Sequence, residues 1–267
     1  KVFSFWWHIR LQEIQPYQSV ITEELPITAN DSLITAIKNI PEVETIHPFA
    51  TRYAILKTKD DLEGVLVKGL DSTYNFNHIK DFIIEGHPPV FNDSSYSRQI
   101  MISKHTADQM KLKTGDRVLI YFIRPDGSQR PDRLTITGIF KTGIEEYDKT
   151  FAIGDIKLIR RLNDWLPNQV GGYEIFLKEY KKIDSISNQI LNLPEMPLSW
   201  SAQGIQKITP NIFDWLNMQD VTRNVLIAIM VVVAVINLIT CLIILVLERM
   251  RMIGILIAQA YLGSLWI

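Results

Sequence analysis

Asn224-Val-Leu-Ile-Ala-Ile-Met-Val-Val-Val-Ala-Val-Ile-Asn-Leu-Ile-Thr-Cys-Leu-Ile-Ile-Leu-Val-Leu247 lies between Arg223 and Glu248 and carries no charge. At about 1.5 Å per helical residue this run crosses the ~30 Å hydrocarbon core of a bilayer, so the chain reads as a membrane protein. A long stretch of mixed polar and apolar sequence precedes it, which rules out a cleaved signal peptide. A large domain therefore hangs on one membrane helix. Arg249 and Arg251 follow the run closely, whereas Asp214, Asp220 and a single Arg223 precede it. This basic bias puts the C-terminal end in the cytoplasm and the large domain outside it.

The 267 residues carry a net charge of −1, which argues against a nucleic-acid binder, because neutralising phosphates needs a basic surplus. The length allows one or two domains besides the span. Cys241, the only cysteine, lies inside the span, so the outer domain has no disulfides and depends on a hydrophobic core. The start, Lys1-Val-Phe-Ser-Phe-Trp-Trp-His-Ile-Arg10, has neither an initiator Met nor a signal stretch and reads as a cut from a longer protein. Residues 1–11 would then be the exit of an earlier span, with Phe3, Phe5, Trp6 and Trp7 as an aromatic belt at the interface. A buried aromatic strand is the alternative.

Periodicity and turn residues organise the outer domain. Asp31 can cap a helix with Leu33, Ile34, Ile37 and Ile40 at helical spacing, stopped by Pro41. Strands are expected at Tyr53–Lys57, Gly64–Leu70, Arg117–Ile123, Arg133–Phe140 and Tyr173–Leu177. Ser103 and Asp155 open two short helices, and Ile183, Ile186, Ile190 and Leu193 keep the period of a further one, closed by Pro194 and Pro197. Arg124 to Asp132 forms a polar hairpin tip with Asp126-Gly127 at its centre. The sum is an α+β domain over 12–208 with a more β-rich portion at about 101–165. Thr209-Pro210 reads as an N-cap followed by proline at the first helical position, and nothing breaks a helix before Gly254. A stalk at 209–223 would then continue into the span at 224–247, anchored by Ile212, Phe213, Trp215 and Leu216, with a kinked junction near Asp220 as the alternative.

Catalytic chemistry finds little support. The five histidines show no zinc-binding spacing and have no cysteine beside them, so no metal site is expected. No G-x-S-x-G is present, and the adjacent carboxylates Asp60-Asp61 and Glu145-Glu146 read as solvated loop residues. No Gly-Lys pair exists, so no phosphate-binding loop does either, and any ATP and its magnesium must be bound by another polypeptide. No catalytic residue and no cofactor is assigned to this chain. Inside the span, Met230, Ala234, Asn237 and Cys241, with Thr240 beside them, make a stripe of small and polar side chains. Such a stripe faces other membrane helices, or else lines a site for lipid or acyl chains.

Three segments carry a family resemblance: Phe213-Asp-Trp-Leu216, Met230-Val-Val-Val-Ala-Val-Ile-Asn237 and Leu247-Glu-Arg-Met-Arg-Met-Ile-Gly-Ile-Leu256. They resemble the permease subunits of lipoprotein-releasing ABC transporters, LolC and LolE, within the wider MacB and FtsX permease superfamily. Upstream, Phe5 to Ile9, Ile102 to Asp116 and Gly172 to Phe176 are similar to further parts of the same subunits. The resemblance implies a MacB-like periplasmic domain with an inserted β-rich subdomain, followed by a transmembrane helix. It further implies a second permease subunit, a cytoplasmic ATPase dimer, contact with membrane lipids and a place in the bacterial inner membrane. On it, Glu248, Arg249, Arg251, Ile253, Gly254, Ile255 and Leu256 map to the loop that touches the ATPase, the start of a cytoplasmic segment at 248–267. A basic anchor on a continued helix is the other reading of those residues. Pro125, Asp126, Gly127, Arg130, Pro131 and Arg133 fall where such subunits carry a hairpin that recruits a periplasmic lipoprotein carrier; a plain hairpin is the alternative.

The expected function is therefore a non-catalytic permease subunit that extracts lipoproteins from the inner membrane at the expense of a partner's ATP hydrolysis. Efflux of the MacB type, signalling of the FtsX type that activates a cell-wall hydrolase, and a membrane-anchored enzyme are the rivals.

Overall fold

The computed structural model describes residues 7–15, 23–92, 95–123, 129–208 and 210–263, with backbone alone at 123, 129, 181, 210–217, 220 and 258–263. Two compact units result, Lys1–Thr209 and Pro210–Ile267.

The first unit is built on β1 (Ile9–Glu13), β2 (Ile27–Thr28), α1 (Asp31–Lys38), β3 (Val43–Lys57), β4 (Leu62–Leu70), β5 (Ile83–Gly86), β6 (Gln99–Ser103), α2 (Lys104–Gln109), β7 (Arg117–Ile123) and β8 (Gln129–Phe140). It continues with α3 (Glu145–Thr150), β9 (Phe151–Asp155), α4 (Ile156–Leu162), β10 (Gln169–Val170), β11 (Gly172–Leu177), α5 (Ile183–Leu191), β12 (Trp200–Gly204) and α6 (Ile205–Ile208). The main sheet runs β12-β1-β11-β3-β4-β9-β6-β8-β5, and β2 and β10 form a separate pair. Because β7 pairs with both β3 and β8, the strands β3, β4, β9, β6, β8 and β7 close into a ring of six. Val118, Ile120, Phe122, Leu134 and Ile136 are buried, while Arg117, Arg133 and Thr135 alternate with them on more exposed positions. That is the period-two pattern of a strand with one face inward.

Local chemistry accounts for the helix starts. Ser103 accepts from the Thr106 N–H at 3.1 Å and Asp155 from the Lys157 N–H at 2.8 Å, as their sequence positions suggest. The first helix is capped one residue earlier than expected: Asn30 Oδ1 accepts from Leu33 N–H at 3.1 Å, and Asp31 supplies negative charge in the first turn. This helix ends at Lys38, before Pro41, and α5 ends at Leu191, before Pro194. Glu145 and Glu146 lie on α3 rather than on a loop, Glu145 pairing with Lys149 at 2.6 Å one turn on.

Two boundaries move. Trp7 is completely buried and residues 9–11 form the core of β1, between β11 and β12, so the stretch 7–11 belongs to the folded domain. For Trp7 the buried aromatic reading replaces the interfacial belt; Phe3, Phe5 and Trp6 lie outside the described residues. Nor does the β-rich portion stand apart at 101–165. It starts as early as β5 and shares β3 and β4 with the rest, because β7 finds its second neighbour in the far half of the long strand β3.

The second unit is a single helix, α7, Pro210–Gly263. Within it Val221–Ile257 is long and apolar enough to span a membrane, with a mean hydropathy of 3.2 over its most apolar stretch. No break occurs near Asp220. Residues 248–263, read from the resemblance as the start of a loop, are helical too, since one glycine costs only about 1 kcal/mol within a run of Met, Ile, Leu and Ala.

Candidate functional site

On α7, Met230, Ala234, Asn237 and Cys241 follow one another at steps of four, three and four. At 100° per residue they fall within an arc of about 60°, one narrow face of the helix. All four are exposed, Met230 at 70%. Thr240 lies off this arc and its hydroxyl donates to the Ile236 carbonyl at 2.9 Å, so it is satisfied within its own helix. The face therefore carries one amide, that of Asn237, among otherwise apolar or small side chains. Glu248, Arg249, Arg251, Ile253, Gly254, Ile255 and Leu256 continue on the same helix and are exposed.

The β7–β8 hairpin carries the second group. Pro125, Asp126 and Gly127 lie outside the described residues. Arg130, Pro131 and Arg133 are not in the tip but in β8, opposite Phe122, Tyr121 and Leu119. Pro131 sits where β8 has a strand on one side only, the situation a strand proline tolerates. Arg130 bridges to Asp164 at 3.2 Å and donates to the Arg161 carbonyl at 3.3 Å. Arg133 joins Arg98 and Arg117 around an open cleft of about 600 Å³, completed by Leu119, Pro131, Asp132 and Thr135. Only Asp132, 3.7 Å from Arg98, offsets that positive charge along the lining.

A third constellation has no counterpart among the motifs of the sequence. Arg10 on β1, 1% exposed, lies 3.5 Å from Glu24 and 3.3 Å from Glu174 on β11, and Lys68 on β4 reaches Glu174 at 2.7 Å. The Arg10 guanidinium is sandwiched between Trp7 at 4.4 Å and Phe49 at 4.5 Å. Glu24 also accepts from the Thr51 backbone N–H at 2.9 Å. Burial pushes the Glu24 carboxyl up, against the opposing pull of Arg10, and pushes the Lys68 ammonium down, against Glu174. Two acids and two bases so enclosed compensate one another and clamp β1, β3, β4 and β11 together. The sequence holds a weak signal of it: Arg10, Lys68 and Glu174 interrupt strands whose neighbours are apolar on both faces. Nothing local, however, tells which charge meets which.

Among the described residues no group of three or more His, Cys, Asp or Glu could hold a metal ion. What the arrangement offers is mechanical: a clamped domain with a cationic outer cleft, and a long apolar helix with one polar face.

Comparison with known proteins agrees with this architecture. The MacB-like periplasmic core domain matches residues 8–193. Among solved structures, the chain is similar to the extracellular domain of the noncanonic ABC-type transporter YknZ from Gram-positive bacteria, at 15% identity and a TM-score of 0.46, covering 73% of this chain and 99% of that one. It is also similar to the periplasmic region of MacB from Actinobacillus actinomycetemcomitans, at 8% identity and a TM-score of 0.48, covering 76% of this chain and 91% of that one. No curated protein matches. Since the matched segment runs from the start of β1 through the end of α5, the chain belongs to the MacB-like periplasmic core domain family, here followed by an apolar helix long enough to span a membrane.

Proposed function

We propose that this chain is part of an ABC-type transporter permease that extracts lipoproteins from the inner membrane and passes them to a periplasmic carrier, driven by a separate cytoplasmic ATPase dimer and completed by a second permease subunit. The observation that carries this reading is the unbroken helix α7, which joins the polar-faced apolar span to the Glu248–Leu256 segment without a hinge. A push received at Arg249 and Arg251 would then be delivered along one rod. Acyl chains would enter beside Met230 and Ala234, where small side chains leave room, and Asn237 would bond across the seam to a neighbouring helix. The cationic cleft at the base of the β7–β8 hairpin suits an acidic carrier surface. No bond is made or broken by this chain; it offers cargo different affinities in two conformations, and the ATPase shifts their populations.

Efflux of a soluble substrate is the second reading, favoured by the match of residues 8–193 to the MacB-like core. Photo-crosslinkers at Met230 and Ala234, in cells expressing the complete transporter, separate the two. Lipoprotein release expects acylated proteins on both positions, and a periplasmic carrier captured by a crosslinker at Arg133 but lost when residues 124–128 are shortened to a tight turn. An efflux adaptor at Arg133, with no acylated protein at Met230, would overturn it in favour of efflux.

A further inference from the structure

Three histidines from three elements gather around one phenylalanine. Phe176 on β11 is stacked by His78 at 4.5 Å between centroids and met edge-on by His8 and His47, each at 6.1 Å. His47 also contacts the ring of Tyr74 at 5.1 Å and approaches the Thr73 hydroxyl at 3.4 Å. The Nε2 atoms of His47 and His78 are buried without a hydrogen-bond partner.

His8 holds the key position. Pairing of β11 with β3 slips by a residue between Phe176 and Leu177, and the Leu177 N–H donates to His8 Nδ1 at 2.7 Å. An imidazole nitrogen that accepts cannot carry a proton, so this bond exists only while His8 is neutral. The backbone of the same residue is tied twice more: its N–H donates to the Ile175 carbonyl at 2.9 Å, and its carbonyl accepts from the Ile205 N–H at 3.0 Å. Ile205 opens α6, by which the chain leaves the domain, and His8 opens the path into β1. The proton-sensitive bond thus sits where both ends of the domain meet.

We propose that His8 is an acid-operated latch: its protonation breaks the bond from Leu177 and loosens β1, the end of β11 and the start of α6 together. Burial, and next the nearby His78, hold the His8 ring down at about 4, so the neutral, latched form is the resting one. The surroundings set how hard the latch is to open. Burial holds the His47 ring below its ordinary value, helped by His78 and Lys38 and opposed by Asp71 and Glu174. Lys68 and Arg10 both pair with Glu174 nearby. A domain outside the cytoplasm meets ambient acid directly, so this latch would report it to the transporter.

The test is amide hydrogen exchange on the full chain in detergent, corrected for the intrinsic effect of pH, at pH 7.5, 6.0 and 4.5. Protection of Leu177 and Ile205 in the wild type should fall about tenfold or more across this range, while Ala152 in the six-stranded ring keeps its own. In His8→Asn, whose side-chain oxygen can accept the same N–H without titrating, protection should stay flat. Unchanged protection of Leu177 in the wild type would overturn the proposal. So would a fall in His8→Asn equal to that of the wild type, which would assign the titration to another group. The wild-type arm stands whether or not the variant folds.

Discussion

At the scale of single residues, charge and protonation decide most. Glu174 pairs with both Arg10 and Lys68 in a buried site. Glu174→Gln should therefore cost about 3–5 kcal/mol, the penalty for leaving buried charge without its partner, whereas exposed Glu145→Gln should cost under about 1 kcal/mol. Denaturant unfolding followed by tryptophan fluorescence would measure both. Acid should act through His8. Its folded value near 4 lies below the ordinary 6.5, so the unfolded chain binds the extra proton first. Stability from this group is complete above pH 6.5 and is lost as pH falls towards 4, roughly 3 kcal/mol in all at about 1.4 kcal/mol per pH unit. Melting temperatures measured between pH 7.5 and 4.5 should fall in that direction, and fall less in His8→Asn, where the buried His47 still contributes with the same sign. Neither pairing was legible in the sequence. Arg10 and Glu174 are separated by 164 positions, and His8 and Leu177 by 169, so nothing short of the sheet pairing brings them together.

Elements were easier to read when their signals were local. The caps at Ser103 and Asp155 each depend on two or three neighbouring residues, and the hydrophobic run of α7 decides itself. Asn30 and Asp31 are both good caps, and the choice between them rests on backbone angles rather than composition. β1 stood only as the alternative of a buried aromatic strand because the aromatic residues before it look like an interface anchor, and β12 escaped detection because Trp200-Ser-Ala-Gln-Gly204 has neither strong alternation nor branched side chains. Turn geometry yields a further prediction. Gly86 has φ +77, and a Cβ there would overlap the Thr137 carbonyl oxygen, so Gly86→Ala should lose about 2 kcal/mol or more by the same unfolding measurement and detach β5 from β8 first. For α7, Gly254→Ala should leave the helix intact, while Gly254→Pro should cost about 3 kcal/mol and kink it. Spin labels at Leu247 and Tyr261 would register the shortened distance. If the rod transmits ATPase motion, the proline variant alone should uncouple ATP hydrolysis from transport.

For the whole molecule, the six-stranded ring could not be foreseen, because closure depends on β3 being long enough to serve three neighbours, β11 over Val43–Phe49, β4 over Phe49–Lys57 and β7 over Ala54–Lys57. A second large-scale feature is that β1 and β12 lie side by side, with Ile9 opposite Gly204 and Glu13 opposite Trp200. The chain thus enters and leaves the domain at the same end of one antiparallel pair. A force that draws these two points apart loads the ladder at its first rung and then at each next one in turn, like a zipper, instead of straining all rungs at once. The domain is consequently soft to that peeling load and stiff along its strands, where all rungs share the strain. A tug of modest strength at its two ends would peel it open, and the same ladder would draw it shut when the tug ends.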